Sequence, residues 1–113
     1  MDTPTFGERS RKELEPSEIW KMLTESPVIV FNAMRKERPG QPIDLSDADI
    51  TGFQLAGIDL RNADLRQTNF RDVDLSGADF RGAKLDEARF VNCTLDGTLF
   101  DGNKDVAEFV QDK

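Results

Sequence analysis

Large apolar residues recur at every fifth position over residues 43–102. The segment divides without insertion into twelve blocks of five residues, and the middle residue of each block is Leu, Ile or Phe. These block centres are Leu45, Ile50, Leu55, Leu60, Leu65, Phe70, Leu75, Phe80, Leu85, Phe90, Leu95 and Phe100. A helix with 3.6 residues per turn cannot hold such a stripe on one face, and a plain strand alternates every two residues. The pattern therefore predicts a chain that turns once in every block, with the centres as its structural core.

The residue two places before each centre is small or apolar, so a short extended stretch would point both residues inward. If four blocks close one coil, residues twenty apart stack. This register places Leu centres above Leu centres on two faces, and mostly Phe above Phe on the other two. It also places Gly57, Gly77 and Gly97 at one stacked corner, where glycine tolerates a positive φ angle. The sequence thus predicts three coils.

Three blocks show which known repeat this is similar to. Ala48-Asp49-Ile50, Ala63-Asp64-Leu65 and Ala78-Asp79-Phe80 match the consensus A-(D/N)-L-x-x of the pentapeptide-repeat family, which the chain resembles over 60 residues. The resemblance implies an all-β solenoid with helical caps: a right-handed quadrilateral β-helix of about three coils, made from twelve pentapeptide repeats.

Two helices are predicted before the repeat. Residues 1–16 are interpreted as a flexible N-terminal arm and residues 17–42 as a helical N-terminal cap. The first helix, about Ser17–Glu25, places Ile19, Trp20 and Leu23 on one stripe. Trp20 has two interpretations, packing in the cap or serving as an exposed anchor for a partner, because Trp is enriched at interface hot spots.

The second predicted helix begins at Ser26-Pro27, with Ser26 as N-cap, and ends before Pro39-Gly40. Its apolar stripe is expected to lie on the first coil. The predicted cap residues from both helices are Trp20, Leu23, Val30, Phe31 and Met34. The segment from Val30 into the repeat also resembles the N-terminal helical cap of bacterial pentapeptide-repeat proteins.

Residues 103–113 are predicted to form a short C-terminal helical cap or a dimerisation segment. A helix over Lys104–Gln111 would place three apolar residues on one side: Val106, Phe109 and Val110. In the gyrase-protecting members of the family this end mediates dimerisation, so the resemblance implies a possible homodimer. Val91 and Leu99 interrupt the polar outward series and would form one apolar interface patch with these residues, unless the C-terminal segment folds back and covers them.

Composition excludes several kinds of chemistry. The chain has 113 residues, no His and one Cys, so it has no internal disulfide and none of the zinc sites built from Cys and His. Cys93 falls in the inward series and is interpreted as a small buried hydrophobe. No cofactor and no metal ligand is expected, and the absence of an apolar leader or span favours a cytoplasmic protein.

The net charge of the chain distinguishes between the functions that remain. The net charge is −7, and the repeat itself carries twelve acidic and six basic side chains, which disfavours direct binding to nucleic acid or to an anionic membrane. Without His, and with carboxylates on a convex surface, no catalytic site is expected. The sequence favours a non-enzymatic protein-interaction or scaffolding module with an acidic surface and an unidentified protein partner. The alternative, implied by the resemblance, is a DNA mimic that binds DNA gyrase or another DNA-binding protein.

Overall fold

The computed structural model of the chain describes residues 13–102 and the backbone of residues 110 and 111. Within these described residues, two helices are followed by four very short strands. The elements are α1 (Pro16–Glu25), α2 (Val28–Glu37), β1 (Asp49–Thr51), β2 (Asn69–Arg71), β3 (Arg89–Val91) and β4 (Val110–Gln111). The strands form one parallel sheet in the order β1-β2-β3-β4.

The repeat folds as a β-solenoid in which each parallel pair joins residues twenty apart. We name residues 43–62, 63–82 and 83–102 the first, second and third layers, and we name the four series of stacked blocks the four faces. The pairs are Asp44, Asp64 and Lys84 on the first face; β1, β2 and β3 on the second; Gln54, Asp74 and Thr94 on the third; and Asp59, Asp79 and Leu99 on the fourth. The predicted stacking of residues twenty apart is therefore present in the backbone pairing.

The block centres point inward and form one apolar core. Centres from Leu45 to Phe90 are at most 3% exposed, whereas Leu95 and Phe100 in the third layer are only partly buried. Within a face the Phe rings stack, with centroids 4.9 Å apart for Phe70 and Phe90. Rings on the two Phe faces meet edge to face, as Phe80 does with Phe90 at 5.6 Å, an arrangement that aromatic quadrupoles favour.

The two helices cover the core at its N-terminal end. Ile19 and Leu23 of α1 and Phe31 and Met34 of α2 are buried and belong to the same apolar cluster as the block centres. Val30, which was predicted on the packed stripe, is 44% exposed. It lies at the edge of the buried face of α2, whose middle is occupied by Phe31 and Met34.

The start of α2 differs from the prediction. Ser26 is the C-cap of α1, and its backbone N–H donates to the carbonyl of Met22. Pro27 is the N-cap of α2, with an extended backbone (φ −62°, ψ 155°), so the helix begins at Val28. The physical reason is that Ser26 completes the hydrogen bonding of the preceding helix and is therefore not placed to cap the next one.

Residues 13–16, which were assigned to the N-terminal arm, take part in the described structure. Pro16 begins α1, and the backbone N–H of Glu15 donates to the Glu18 carboxylate at 2.7 Å. The Leu14 N–H donates to Oε1 of Gln41 at 2.7 Å, and Nε2 of Gln41 donates back to the Leu14 carbonyl at 3.0 Å. The buried Gln41 amide thus holds Leu14 much as a neighbouring strand would.

The predicted C-terminal helix is wrong at residues 110 and 111, which form strand β4. Val110 pairs in parallel with Phe90, and Gln111 pairs with Val91. Val110 lies twenty residues after Phe90, so pairing continues the register of the repeat, whereas a helix of one or two turns is marginal without a surface to pack on. Val106 and Phe109 lie outside the described residues.

Candidate protein-interaction surface

Three outward Asp side chains each form a bidentate ion pair with the Arg two residues later in the same block. The pairs are Asp59–Arg61, Asp64–Arg66 and Asp79–Arg81. In each pair Nε donates to Oδ1 at 2.9 Å, and the Arg backbone N–H donates to that same oxygen. The side chain therefore closes the turn of its block and pairs its charge at the same time, as bidentate Arg–carboxylate geometry allows.

The pairing keeps these carboxylates ionised. Hydrogen bonds from Arg66 lower the pKa of Asp64, and those from Arg81 lower the pKa of Asp79. For Asp59, partial burial acts to raise the pKa, but the hydrogen bonds from Arg61 and the positive charges of Arg35 and Arg61 together outweigh it, and the pKa is lowered. All three groups are thus carboxylates at neutral pH.

The first face carries the largest share of the acidic excess of the repeat. Five acidic and two basic side chains project there, a net charge of −3: Asp44, Asp47, Asp64, Asp86 and Glu87 against Arg66 and Lys84. A shallow hollow lies on this face, lined by Ser46, Asp47, Arg66, Gln67, Asp86 and Glu87. By contrast, two Asp and two Arg residues balance each other on the second face: Asp49, Asp72, Arg71 and Arg89.

Comparison with known families agrees with this geometry. The family model for pentapeptide repeats, which describes eight copies, matches residues 43–82 and again residues 64–102. Together the two matches cover more than half of the 113 residues. The chain belongs to the pentapeptide-repeat family. Neither a curated protein nor a solved structure gives a significant match.

In this pentapeptide-repeat protein each consensus position has a structural role. The centre fills the core, the Asp before it caps the turn, and the residue before that Asp faces inward. Where the inward residue carries a polar group, that group donates to the backbone of the previous layer: Thr68 to the Leu45 carbonyl and Thr98 to the Leu75 carbonyl, both at 2.8 Å. The separation is 23 residues in both cases.

Cys93 occupies the same inward position and makes a similar contact. Its thiol lies 3.4 Å from the Phe70 carbonyl, again 23 residues earlier, and it is partly buried. Burial raises the pKa of the Cys93 thiol. A thiol that is neutral at physiological pH is a poor nucleophile, which agrees with its interpretation as a small hydrophobe.

The predicted apolar interface patch is not assembled in the described structure. Val91 was expected to point outward, but its side chain is only 4% exposed, and its backbone pairs with Gln111 of β4. Leu99, on the fourth face, is 45% exposed. Of the other predicted patch members, only the backbone of Val110 is described, and it lies in β4.

Trp20 is partly packed in the cap and partly exposed, so the structure agrees in part with both interpretations of this residue. Its ring packs edge-on against Phe53, with centroids 6.4 Å apart, while 36% of the residue stays exposed. Ile29 and Val30 of α2 are also exposed, at 76% and 44%. The helical cap therefore presents some apolar surface.

Two polar residues of α2 have roles that sequence reasoning missed. Asn32 accepts a hydrogen bond from the Asp59 N–H and donates to the Gly57 carbonyl, both at 2.9 Å. Arg35 donates from Nη2 to the Arg61 carbonyl. In the second layer the equivalent Asp79 N–H and Arg81 carbonyl pair with the first layer, so Asn32 and Arg35 substitute for a missing layer.

Burial of this cap residue has an electrostatic cost. The Arg35 side chain is only 10% exposed and lies 3.9 Å from the Asp59 carboxylate. Desolvation by burial lowers the pKa of Arg35, although Asp59 acts in the opposite direction. Its Nε atom is buried without a hydrogen-bond partner.

Neither a metal centre nor a membrane segment is found in the part of the chain that the structure describes. No three His, Cys, Asp or Glu side chains within residues 13–102 come together in a group that could hold a metal ion. Among the described helices none has the length and apolar character needed to cross a bilayer.

Proposed function

We propose that this pentapeptide-repeat protein is a non-enzymatic interaction module whose first face docks a positively charged surface of a partner protein. The observation that carries the proposal is the net charge of −3 on that face. It lies on a backbone whose layers are hydrogen-bonded to one another. A rigid surface of one sign attracts a complementary partner and restricts the orientations in which it binds.

Pairing of charges elsewhere supports the choice of this face. On the fourth face Asp59 and Asp79 are already bonded to Arg61 and Arg81. On the first face only Asp64 has such a partner, in Arg66, and Asp47, Asp86 and Glu87 surround the hollow. The third face has a net charge of −2, from Asp74 and Asp96, so the first face, at −3, is the most negative of the four and attracts a basic partner most.

The proposal includes the predicted shape, a right-handed quadrilateral β-helix of about three coils. Parallel pairing of residues twenty apart along four faces supports it. Stacked repeats of this kind provide a flat, extended surface whose outward residues change without disturbing the core.

The proposal is tested by comparing how well the wild-type protein and two charge-reversed variants capture a native partner. Asp47→Lys with Glu87→Lys reverses two charges on the first face, and Asp72→Lys with Asp96→Lys reverses two charges elsewhere on the repeat. A partner that binds wild-type protein and the control variant, but is lost with the first-face variant and at raised salt, supports the proposal. Equal retention by both variants contradicts it.

DNA mimicry is the second candidate, supported by the negative charge of the repeat. Three layers at about 4.8 Å spacing span only about 15 Å, less than half of a duplex turn of about 34 Å. The ion pairs of Arg61, Arg66 and Arg81 also divide the acidic surface. A gyrase supercoiling assay tests this candidate, and inhibition by the wild type but not by the first-face variant would favour it over a general interaction module.

A further inference from the structure

The C-terminal edge of the third layer differs from the edges inside the solenoid. In the second layer the backbone N–H groups of Leu75, Gly77 and Phe80 donate to the layer that follows. The equivalent groups twenty residues later belong to Leu95, Gly97 and Phe100. Among the described residues these three N–H groups have no hydrogen-bond acceptor. The third and fourth faces thus end in an open strand edge within that part of the chain.

Apolar side chains are uncovered at the same edge. Leu75 and Phe80 in the second layer are 0% and 1% exposed, whereas Leu95 and Phe100, their counterparts in the third layer, are only partly buried. Leu99 lies between these two residues and is 45% exposed. Open backbone groups beside apolar side chains are the two features by which a sheet edge binds an added strand.

Strand β4 shows what this end of the solenoid accepts. On the second face Val110 and Gln111 pair in parallel with Phe90 and Val91. An extended segment is thus already seated on one face of the third layer, in the register of the repeat. The third face follows the second around the solenoid, so the open edge continues from the position of β4.

We propose that an extended segment of a partner protein binds this edge as an added parallel strand along Leu95–Phe100. Two apolar side chains five residues apart in that segment would cover Leu95 and Phe100, as the layers of the repeat cover one another. The inference goes beyond the proposed function, because it concerns a different surface and an apolar, extended ligand. Its test does not depend on the acidic first face.

A second copy of the chain is a poorer occupant. Head-to-tail stacking would require the edge of the first layer on the fourth face, where Asn32 and Arg35 already occupy the backbone groups of Asp59 and Arg61. Tail-to-tail stacking would bring two copies of β4 together, each standing about 4.8 Å beyond the third layer. An extended strand beside β4 meets neither obstacle.

A peptide with the sequence of residues 73–82, VDLSGADFRG, is a suitable probe, because this segment forms the third and fourth faces of the second layer. We expect it to shift the amide resonances of Leu95, Gly97 and Phe100 saturably in the full-length protein and to slow their hydrogen exchange. The peptide VDSSGADSRG, in which Ser replaces both apolar centres, should not bind. Leu99→Ala should weaken peptide binding about tenfold, the effect of losing one leucine contact. The matched control Gln54→Ala changes the same block position in the first layer and should leave binding unchanged.

Several results would overturn the inference. Slow exchange of these amides in the free protein would mean that the chain itself covers the edge. Shifts that depend on protein concentration, with a doubled molar mass, would assign the edge to a second copy. Equal binding of VDSSGADSRG, equal loss in the Gln54→Ala variant, or no saturable shift would exclude recognition by strand addition.

Discussion

Every block that is followed by another block ends on a residue with a positive φ angle. The structure has eleven such corners: Asp47, Gly52, Gly57, Asn62, Gln67, Asp72, Gly77, Gly82, Glu87, Asn92 and Gly97. The sequence predicted this conformation only for the stacked glycines, because glycine is the residue that adopts it without steric cost. Asn and Asp also tolerate it, which explains most of the others. Gln67 and Glu87 are neither type; the geometry of the repeat places them there, and Nε2 of Gln67 donates to Oε1 of Glu87 at 3.0 Å.

The corners predict opposite effects for two substitutions. Gly77→Ala should lower the free energy of unfolding by about 1–2 kcal/mol, because a residue with a Cβ atom is strained at positive φ. Glu87→Gly should raise it by up to about 1 kcal/mol, since the strain is removed but the unfolded chain gains freedom. Urea unfolding at pH 7 measures both. Gly40→Ala is the control, because Gly40 has neither a positive φ nor a neighbour within 4 Å of an added Cβ. If Gly77→Ala behaves like the control, the corner argument is wrong.

The Asp–Arg pairs predict how stability depends on pH. Because Asp59, Asp64 and Asp79 have a lowered pKa in the folded protein, their stabilisation is complete above the pKa of the unfolded chain, about 3.9. It is lost as the pH falls through the lower folded values. We expect the urea midpoint to decline below about pH 4.

A single pair is tested by replacing its Arg. Arg66→Met should lower the urea midpoint at pH 7 and reduce the decline on acidification, because Asp64 then loses its partner. Arg71→Met removes the same charge at a residue for which residues 13–102 show no ion pair, so it serves as the control. An identical acid decline in wild type and Arg66→Met would show that Asp64 contributes nothing to it.

At the scale of elements, the two helices were well predicted in position but less well in their ends and contacts. Ile19, Leu23, Phe31 and Met34 lie in the core because their spacing forms one apolar stripe on each helix. The boundary at Ser26, the exposure of Val30 and the hydrogen bonds of Asn32 depend on what each helix meets in space. The spacing of residues along a helix does not contain that information.

Replacing Asn32 tests how much α2 stabilises the N-terminal end of the solenoid. Asn32→Leu should lower the free energy of unfolding by about 1–3 kcal/mol, because the Asp59 N–H and the Gly57 carbonyl lose their partner at the cap. The Asp59 amide should also exchange faster with solvent. Lys36→Leu, at an exposed position of the same helix, is the control. Unchanged exchange at Asp59 would show that Asn32 is not its protecting acceptor.

Strand β4 is the element that the sequence predicted incorrectly. Val106, Phe109 and Val110 fit a short helical stripe, but Val110 and Gln111 instead pair with β3. Only the position of Phe90 twenty residues earlier, together with the edge that β3 offers, favours the strand. The predicted dimer through this end remains a prediction.

For the whole molecule, a single core runs from the helical cap into the third layer. Ile19, Phe31 and the centres up to Phe90 form one cluster, so the described part of the chain should unfold in one cooperative step. The aromatic columns run along this core, with Phe80 and Phe100 stacked at 5.2 Å.

Truncating a core Phe should destabilise the protein less in the third layer than in the second, because the third layer is less buried. Phe80→Ala should cost about 3–5 kcal/mol of unfolding free energy, as expected for a buried Phe. Phe100→Ala should cost clearly less, because this ring is only partly buried. Urea unfolding compares them, and a biphasic curve would contradict the single core. Equal losses for both variants would mean that the third layer is covered as well as the second.

The sequence by itself determined the repeat, its register and its core. A five-residue apolar period fits neither a helix nor a plain strand, so the chain must turn once in each block, and stacking of like residues twenty apart selects the layer size. The tertiary structure alone decided how the ends are completed and which outward residues are exposed. Asn32 and Arg35 bond to backbone groups 25–27 residues away, and Val91 is buried beside β4 rather than exposed with Leu99. Such contacts depend on which distant segments meet in space. The five-residue pattern does not contain that information.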